Sequence, residues 1–237
     1  MYNVYMNSLY DIVDYISSGY RKERTFIQKP EITIKNTEGF KTSDITSSTL
    51  TIAIQITECK NCQLAETRKK TVPGEGAENP LVLVVGEGPG EDEDIEGRPF
   101  VGKAGQLLDK MLASINLSRN TNCYIANIVK CRPPNNREPH SEETAACFHF
   151  LEKQISVLKP KIILAAGRIA GQNLLKTPDT IVKMRGKFHN FSCRNISGGN
   201  LTIPLLVTYH PAAVLRNSDL RAPVWEDLKL LRSKLEL

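Results

Sequence analysis

From Pro80 onward, short apolar runs suited to buried strands alternate with helical periodicity, and loops rich in glycine or proline separate them. Residues 81–85 are the first such run, and they end in a glycine loop at 86–100. Leu107, Leu108, Met111, Leu112 and Ile115 then recur at the spacing of a helix over 105–115. Residues 124–129 read as a second strand and 161–165 as a third. Between these, Ser141 caps a helix running to about 158, with Glu142 and Glu143 favourably placed in its first turn. A short helix near 169–175, strand candidates at 188–191 and 205–208, and a closing helix over 224–235 complete the series. Strands alternating with helices predict a parallel α/β sheet covered on both faces. In such sheets ligands bind beyond the carboxyl ends of the strands. Three loops start there, at 86–100, 131–140 and 210–215, and are expected to converge on one crevice.

The same reading bounds what else the chain can be. Its longest unbroken apolar stretches, 81–85 and 162–166, are five residues each. A membrane-spanning helix needs about 20, so no span is expected. Asp11 and Asp14 fall where the apolar region of a secretory signal would run, so a cytoplasmic location is expected. Residues 1–55 differ from the rest. Leu9, Ile12, Val13 and Ile16 have the spacing of a short amphipathic helix, and 42–57 hold eight Ser/Thr, as in a linker or weakly ordered strand. The expected organisation is an N-terminal extension over 1–55, partly helical or disordered, followed by one domain over 56–237.

Charge is informative once it is located. The chain carries 31 Lys+Arg and 26 Asp+Glu, a net +5. The stretch 86–100 alone is −5, from Glu87, Glu91, Asp92, Glu93, Asp94 and Glu96 against Arg98, so the remainder is +10. A basic body around one acidic loop fits a protein that attracts a polyanion yet keeps carboxylates at a working site.

Six cysteines stand at 59, 62, 123, 131, 147 and 193. Cys59 and Cys62 form a C-x₂-C pair, which lets one tight turn present two thiolates to a metal centre. Cys131 lies in a proline-rich loop and Cys147 about two turns into a helix. Metal or cluster ligation outranks disulfides in a cytosolic chain. Spacing alone fits zinc and a [4Fe–4S] cluster equally. Cys123, in a strand, and Cys193 read as packed or free thiols.

The loops carry the chemistry. Glu91 stands where a dinucleotide fingerprint needs glycine, and no Gly-Lys-Ser/Thr follows, so neither phosphate-binding motif is present. Glycines after a strand still let a small planar ligand approach the backbone, and Phe100 can supply an aromatic face. Asn127, at a strand end, offers a donor and an acceptor in one plane, as reading a base edge requires. His210, at another strand end, can stabilise a developing anion. Val214 and Leu215 beside Arg216 have the make-up of an apolar wedge with a phosphate contact.

Together these residues resemble the family 4 uracil-DNA glycosylases, the iron–sulfur type. That family's Gly-Glu-x-Pro-Gly-x-x-Glu-Asp motif matches Gly86 to Asp94, and its Gly-Arg-Pro-Phe-Val-Gly continuation matches Gly97 to Gly102. The asparagine-containing strand before Lys-Cys-Arg-Pro-Pro matches Asn127 to Pro134, and His-Pro-Ala-Ala matches His210 to Ala213. The resemblance covers 57–237 and implies a three-layer sandwich around a central, mainly parallel four-stranded sheet. It implies excision of uracil from DNA as a flipped base, leaving an abasic site. No activated amine suggests a Schiff-base nucleophile, so no strand cleavage is expected. Carried over by position, Phe100 stacks on uracil, Asn127 reads its edge, and the backbone at Glu87 and Gly88 lines the pocket. His210 stabilises charge on O2. Leu215 fills the gap in the duplex and Arg216 meets phosphate. Glu87 and Glu93 are the candidates for holding water or stabilising the sugar cation, with Asn136 a possible helper. Cys59, Cys62, Cys131 and Cys147 are the implied ligands of a [4Fe–4S] cluster with a structural role. The implied partner is uracil-containing DNA, the expected state a monomer, and residues 1–55 a candidate protein-binding tether. Two other readings stand beside this one: a uracil-DNA binding module without catalysis, and a zinc-stapled α/β protein. The first is disfavoured because relatives of that kind carry a basic, His-containing insert, whereas Asp94 to Arg98 is short and lacks histidine.

Overall fold

Burial on both faces marks the central strands. In the computed structural model, which describes residues 48–195 and 198–236, Val82 to Val85 are all fully buried. Val82 and Val84 enter one apolar cluster, while Leu83 and Val85 enter another on the opposite face. Such a strand needs helices on both sides.

The described elements run α1 (Thr49–Glu58), α2 (Leu64–Thr67), β1 (Glu75–Gly76), β2 (Val82–Gly86), α3 (Glu91–Glu96), α4 (Lys103–Ala113) and β3 (Cys123–Asn127). They continue as α5 (Ser141–Leu158), β4 (Ile162–Ala166), α6 (Arg168–Leu175), α7 (Ile181–Met184), β5 (Phe188–Arg194), β6 (Asn200–Thr208), α8 (Pro211–Arg216) and α9 (Arg221–Leu235). The sheet order is β1-β3-β2-β4-β6-β5. Its four inner strands are mutually parallel. The expected four-stranded sheet is therefore present but extended at both edges by antiparallel strands. β5 folds back on β6 as a hairpin, and the two-residue β1 pairs with β3. β1 is too short to leave a periodic signal.

On one face, α1, α5 and α6 contribute Ile52, Ile56, Phe150, Leu151, Ile155 and Ala170 to the core. On the other, α4 and α9 contribute Leu108, Leu112, Val224, Leu228 and Leu231. No helix among the described residues is long and apolar enough to cross a membrane.

Three local readings change. The stretch 49–57, expected as linker or strand, is helical despite its β-branched residues, because Ser48 Oγ accepts from Thr51 N at 3.2 Å and Ile52 and Ile56 are buried. That helix crosses the expected boundary at residue 55. The cap of α5 is His140, one residue before Ser141, and Glu143 Oε2 accepts its backbone N–H at 2.8 Å. Val214 is buried in the core, leaving Leu215, 42% exposed, as the outward residue of α8. The helix expected from Leu9 to Ile16 lies outside the described residues.

Candidate active site

β2 pairs with β3 on one side and β4 on the other, so the chain reverses direction across the sheet there, and a crevice opens beyond the carboxyl ends. A cavity of about 470 Å³ occupies it. Glu87, Gly88, Glu93, Phe100, Asn127, Asn136, His210 and Arg216 all line this cavity. Of the expected pocket and DNA residues, only Leu215 is outside its wall.

The first loop leaves β2 at Gly86. A Cβ there would lie 2.4 Å from Asn127 Oδ1 and 2.7 Å from the Phe100 ring. Glycine is therefore what allows these two side chains to meet at the strand end. Asn127 is 1% exposed, and among the described residues its buried Oδ1 has no hydrogen-bond partner. An unpaired buried acceptor costs about 1–3 kcal/mol, so it points to a ligand that donates.

Phe100 has φ +53°, the left-handed region, at a cost of order 1–3 kcal/mol for a side chain of this size. Its ring is 6% exposed and lies 5.5 Å from the His210 ring, tilted by 31°. Glu93 secures the turn from below. Its Oε1 accepts from Val101 N at 2.9 Å and Gly102 N at 3.1 Å, and its Oε2 from Gly90 N at 3.0 Å. Both oxygens thus accept from the backbone, and Glu93 lines the cavity as an anchor of this turn.

Glu87 differs. Among the described residues its carboxylate makes no hydrogen bond or ion pair, and it is half-buried. Burial, followed by the charge of Glu138, raises its pKa against a smaller lowering from Arg168. Glu138 itself pairs with Arg168 at the cavity wall. Asn136, also left-handed, accepts from Arg132 Nε at 2.8 Å through its Oδ1.

His210 follows β6 and caps α8, its Nδ1 accepting from Ala212 N at 3.1 Å. An accepting Nδ1 requires the neutral tautomer with its proton on Nε2, leaving one N–H free to donate. Burial and the nearby Arg216 push its pKa down to about 4, only partly opposed by Glu93. This depressed value has a consequence for stability. Between pH 4 and the ordinary histidine value of about 6.5, the unfolded chain binds a proton that the folded chain does not. The contribution is complete above that range and fades as pH falls through it. In denaturant titrations, the stability difference between wild type and His210→Gln is expected to shrink from pH 7 to pH 4.5; a constant difference contradicts the buried neutral imidazole.

A second cavity lies on the α1/α5 side, lined by Cys59, Cys62, Cys131 and Cys147 with Ile56, Arg68 and Phe150. Arg68 Nη1 donates to Cys131 Sγ at 3.2 Å, and Lys130 N donates to Cys147 Sγ at 3.3 Å. Burial pushes the Cys147 thiol up to about 11, so a thiolate there needs a cation to hold it. By donor chemistry alone, four soft sulfurs, two already receiving N–H groups, suit an iron–sulfur cluster or zinc. Among the described residues, no group of three or more His, Cys, Asp or Glu is arranged to hold a metal ion. Cys123 and Cys193 are buried in β3 and β5, away from this cavity.

Sequence reasoning missed several cavity residues. Arg137 and Glu138 line the wall, within the loop marked as starting at a strand end but carrying no motif of their own. Pro89, Ala104 and Pro133 shape it through apolar contact, which residue type alone does not signal.

Comparison with known proteins agrees with this geometry. Residues 73–229 match the Uracil DNA glycosylase superfamily. The chain is 42% identical over 189 residues to the type-4 uracil-DNA glycosylase of Saccharolobus solfataricus, covering 78% of this chain and 85% of the relative. It is 43% identical to the type-4 enzyme of Pyrobaculum aerophilum, over 74% of this chain and 88% of the relative. With the type-4 enzyme of Thermotoga maritima it shares 42% identity over 77% and 92% of the two chains. The chain belongs to the uracil-DNA glycosylase superfamily and, within it, to the type-4 uracil-DNA glycosylases.

Proposed function

We propose that the chain hydrolyses the N-glycosidic bond of uracil in DNA, the opening step of base-excision repair, with the cavity at the β2/β4 switch point receiving the flipped base. The unpaired buried acceptor of Asn127, facing the Phe100 ring, carries the reading: uracil N3–H is the donor that it lacks.

The base lies against Phe100 while Asn127 accepts from N3 and donates to O4. As the bond from C1′ to N1 breaks, its electron pair passes into the uracil ring and charge builds on O2. The neutral His210 donates from Nε2 to that oxygen. Being uncharged, it avoids the cost of burying a cation before the anion forms. The sugar left behind is cationic, and the Glu87 carboxylate faces it without a competing partner. Water adds to C1′, and its proton passes to Glu87, whose raised pKa suits it to that task. Glu93 serves by holding the Phe100 turn. Leu215 occupies the vacated space in the duplex, and Arg216 contacts phosphate.

No lysine lines the cavity among the described residues, which favours water over a Schiff base as nucleophile. A borohydride-trapped adduct with DNA contradicts this. Glu87→Gln keeps the shape of the side chain but removes its charge. It is expected to lower the rate of uracil release by about 10²-fold with little change in substrate KM, and an unchanged rate rejects Glu87 as the carboxylate.

The four thiols are proposed to carry a [4Fe–4S] cluster, on the strength of type-4 family membership and the N–H groups already directed at sulfur. When bound, the cluster supplies a cross-link among three separated segments. With DNA as substrate, the proposed setting is the cytoplasm, as a monomer on the nucleoid, with the part of 1–55 that precedes α1 proposed to meet a protein partner.

A further inference from the structure

Phe100 must hold a left-handed backbone for its ring to face the base, and Glu93 secures only the residues after it. The other half of the grip comes from outside the cavity. Arg119 lies just before β3 and does not line the cavity. Its Nη2 donates to Phe100 O and its Nη1 to Pro99 O, both at 2.9 Å. The guanidinium is fixed in turn: Nη1 donates to Glu75 Oε1 at 2.6 Å and Nε to Asp109 Oδ1 at 2.9 Å. Glu75 also receives Arg98, from the same turn as Phe100, at 2.7 and 3.0 Å. Although burial acts to raise the Glu75 pKa, the hydrogen bonds from Arg98 and Arg119 outweigh it and hold the carboxylate ionised.

On its far side the Phe100 carbonyl rests against α4. A Cβ on Gly105 would fall 1.9 Å from that oxygen, so the turn has no room to retreat toward the helix. Arg119 is itself only 10% exposed in its side chain. A nearly buried arginine that joins two carboxylates to two consecutive carbonyls of a strained turn is a geometric clamp, since only a planar fork reaches these positions together.

We propose that Arg119 is a positioning residue for base recognition: from outside the pocket, anchored by Glu75 and Asp109, it holds the turn that lays Phe100 against uracil. The proposal rests on reading the cavity as the uracil pocket. It assigns a role to β1, whose Glu75 anchors the clamp while the strand contributes only two residues to the sheet.

A double-mutant cycle with Phe100 tests this directly. Arg119→Met is expected to lower kcat/KM for uracil release roughly 10- to 100-fold and to weaken inhibition by free uracil by a similar factor. Arg119→Lys, which keeps the charge without the fork, restores only part of the loss. In a Phe100→Ala background, Arg119→Met should change kcat/KM by less than about twofold, because the ring it positions is gone. An equal loss in both backgrounds, or undiminished inhibition by free uracil, overturns the proposal and leaves Arg119 with a purely structural role. If Arg119→Met does not fold, Glu75→Gln carries the same cycle, with a smaller loss that again disappears beside Phe100→Ala. Phe100→Ala releasing uracil as fast as wild type overturns the pocket reading itself, and the proposal with it.

Discussion

His210→Ala is expected to slow uracil release by about 10²–10³-fold, the usual effect of removing one donor from a developing oxyanion. The fold should survive. Outside catalysis the variant loses the cap on Ala212 N, worth about 1 kcal/mol, and the ring contact with Phe100. The size of the effect follows from the state of the ring. Nδ1 is already an acceptor and the pKa is pushed down to about 4, so near neutrality the side chain presents one Nε2–H and no charge. His210→Asn offers both a cap acceptor and an amide donor, and should recover part of the rate. Between pH 5 and 8 the rate should show no inflection from this residue. A step near pH 6.5 that vanishes in the variant would mean that the imidazole titrates normally and that the neutral-donor account fails.

Cys59→Ala is expected to lose cluster absorbance and most folded protein together. Through the proposed cluster the four cysteines would join the segment after α1, the loop after β3 and the second turn of α5, closing a long loop between Cys62 and Cys131. Closing such a loop restricts the unfolded chain by roughly 3–5 kcal/mol on the cross-link analogy. For a domain of this size that is a fall in Tm of about 10 °C or more. Ile56, on the buried face of α1, lines the cysteine cavity, so loss of the proposed cluster is expected to loosen that helix as well. A Cys59→Ala protein with full Tm and activity contradicts a structural role. Retained folding with zinc in place of iron favours the zinc-stapled alternative for this centre.

The contrast between what the sequence made visible and what it hid is physical. β2, β3 and β4 could be read because each is a short apolar run with a glycine or asparagine where a loop must leave the sheet, whereas only the apolar end of β6, 205–208, was legible behind Asn200, Thr202 and Pro204. Asn127 and His210 could be read because each stands in a dense motif at a strand end or just after it, and Phe100 because it stands in a dense motif of the loop that leaves β2. The backbone bonds of Glu93 were not legible: its Oε1 accepts from the amides of Val101 and Gly102, eight and nine residues onward, and residue type does not say whether a carboxylate faces substrate or backbone. Val214 and Leu215 are adjacent apolar residues, and only the helical rotation of α8 decides that the first is buried and the second is not. Arg119 left no signal at all. It stands in no motif, and its contacts reach 10 to 44 residues away in sequence, so only the folded chain brings them together. Helix α1 was hidden for a different reason: Thr and Ile disfavour helix intrinsically, and the burial that overrides them is tertiary.

The central claim is that the cavity beyond β2 and β4 takes uracil out of DNA and cuts it from its sugar. Release of free base from an oligonucleotide carrying a single uracil, beside an identical one carrying thymine, tests it most directly. The account predicts uracil release with an intact abasic strand, no release of thymine, and near-complete loss of release in His210→Ala. Tight binding of the uracil strand by iron-replete wild type without any release of base would contradict it, and would make the chain a binding relative that has kept the pocket and lost the reaction.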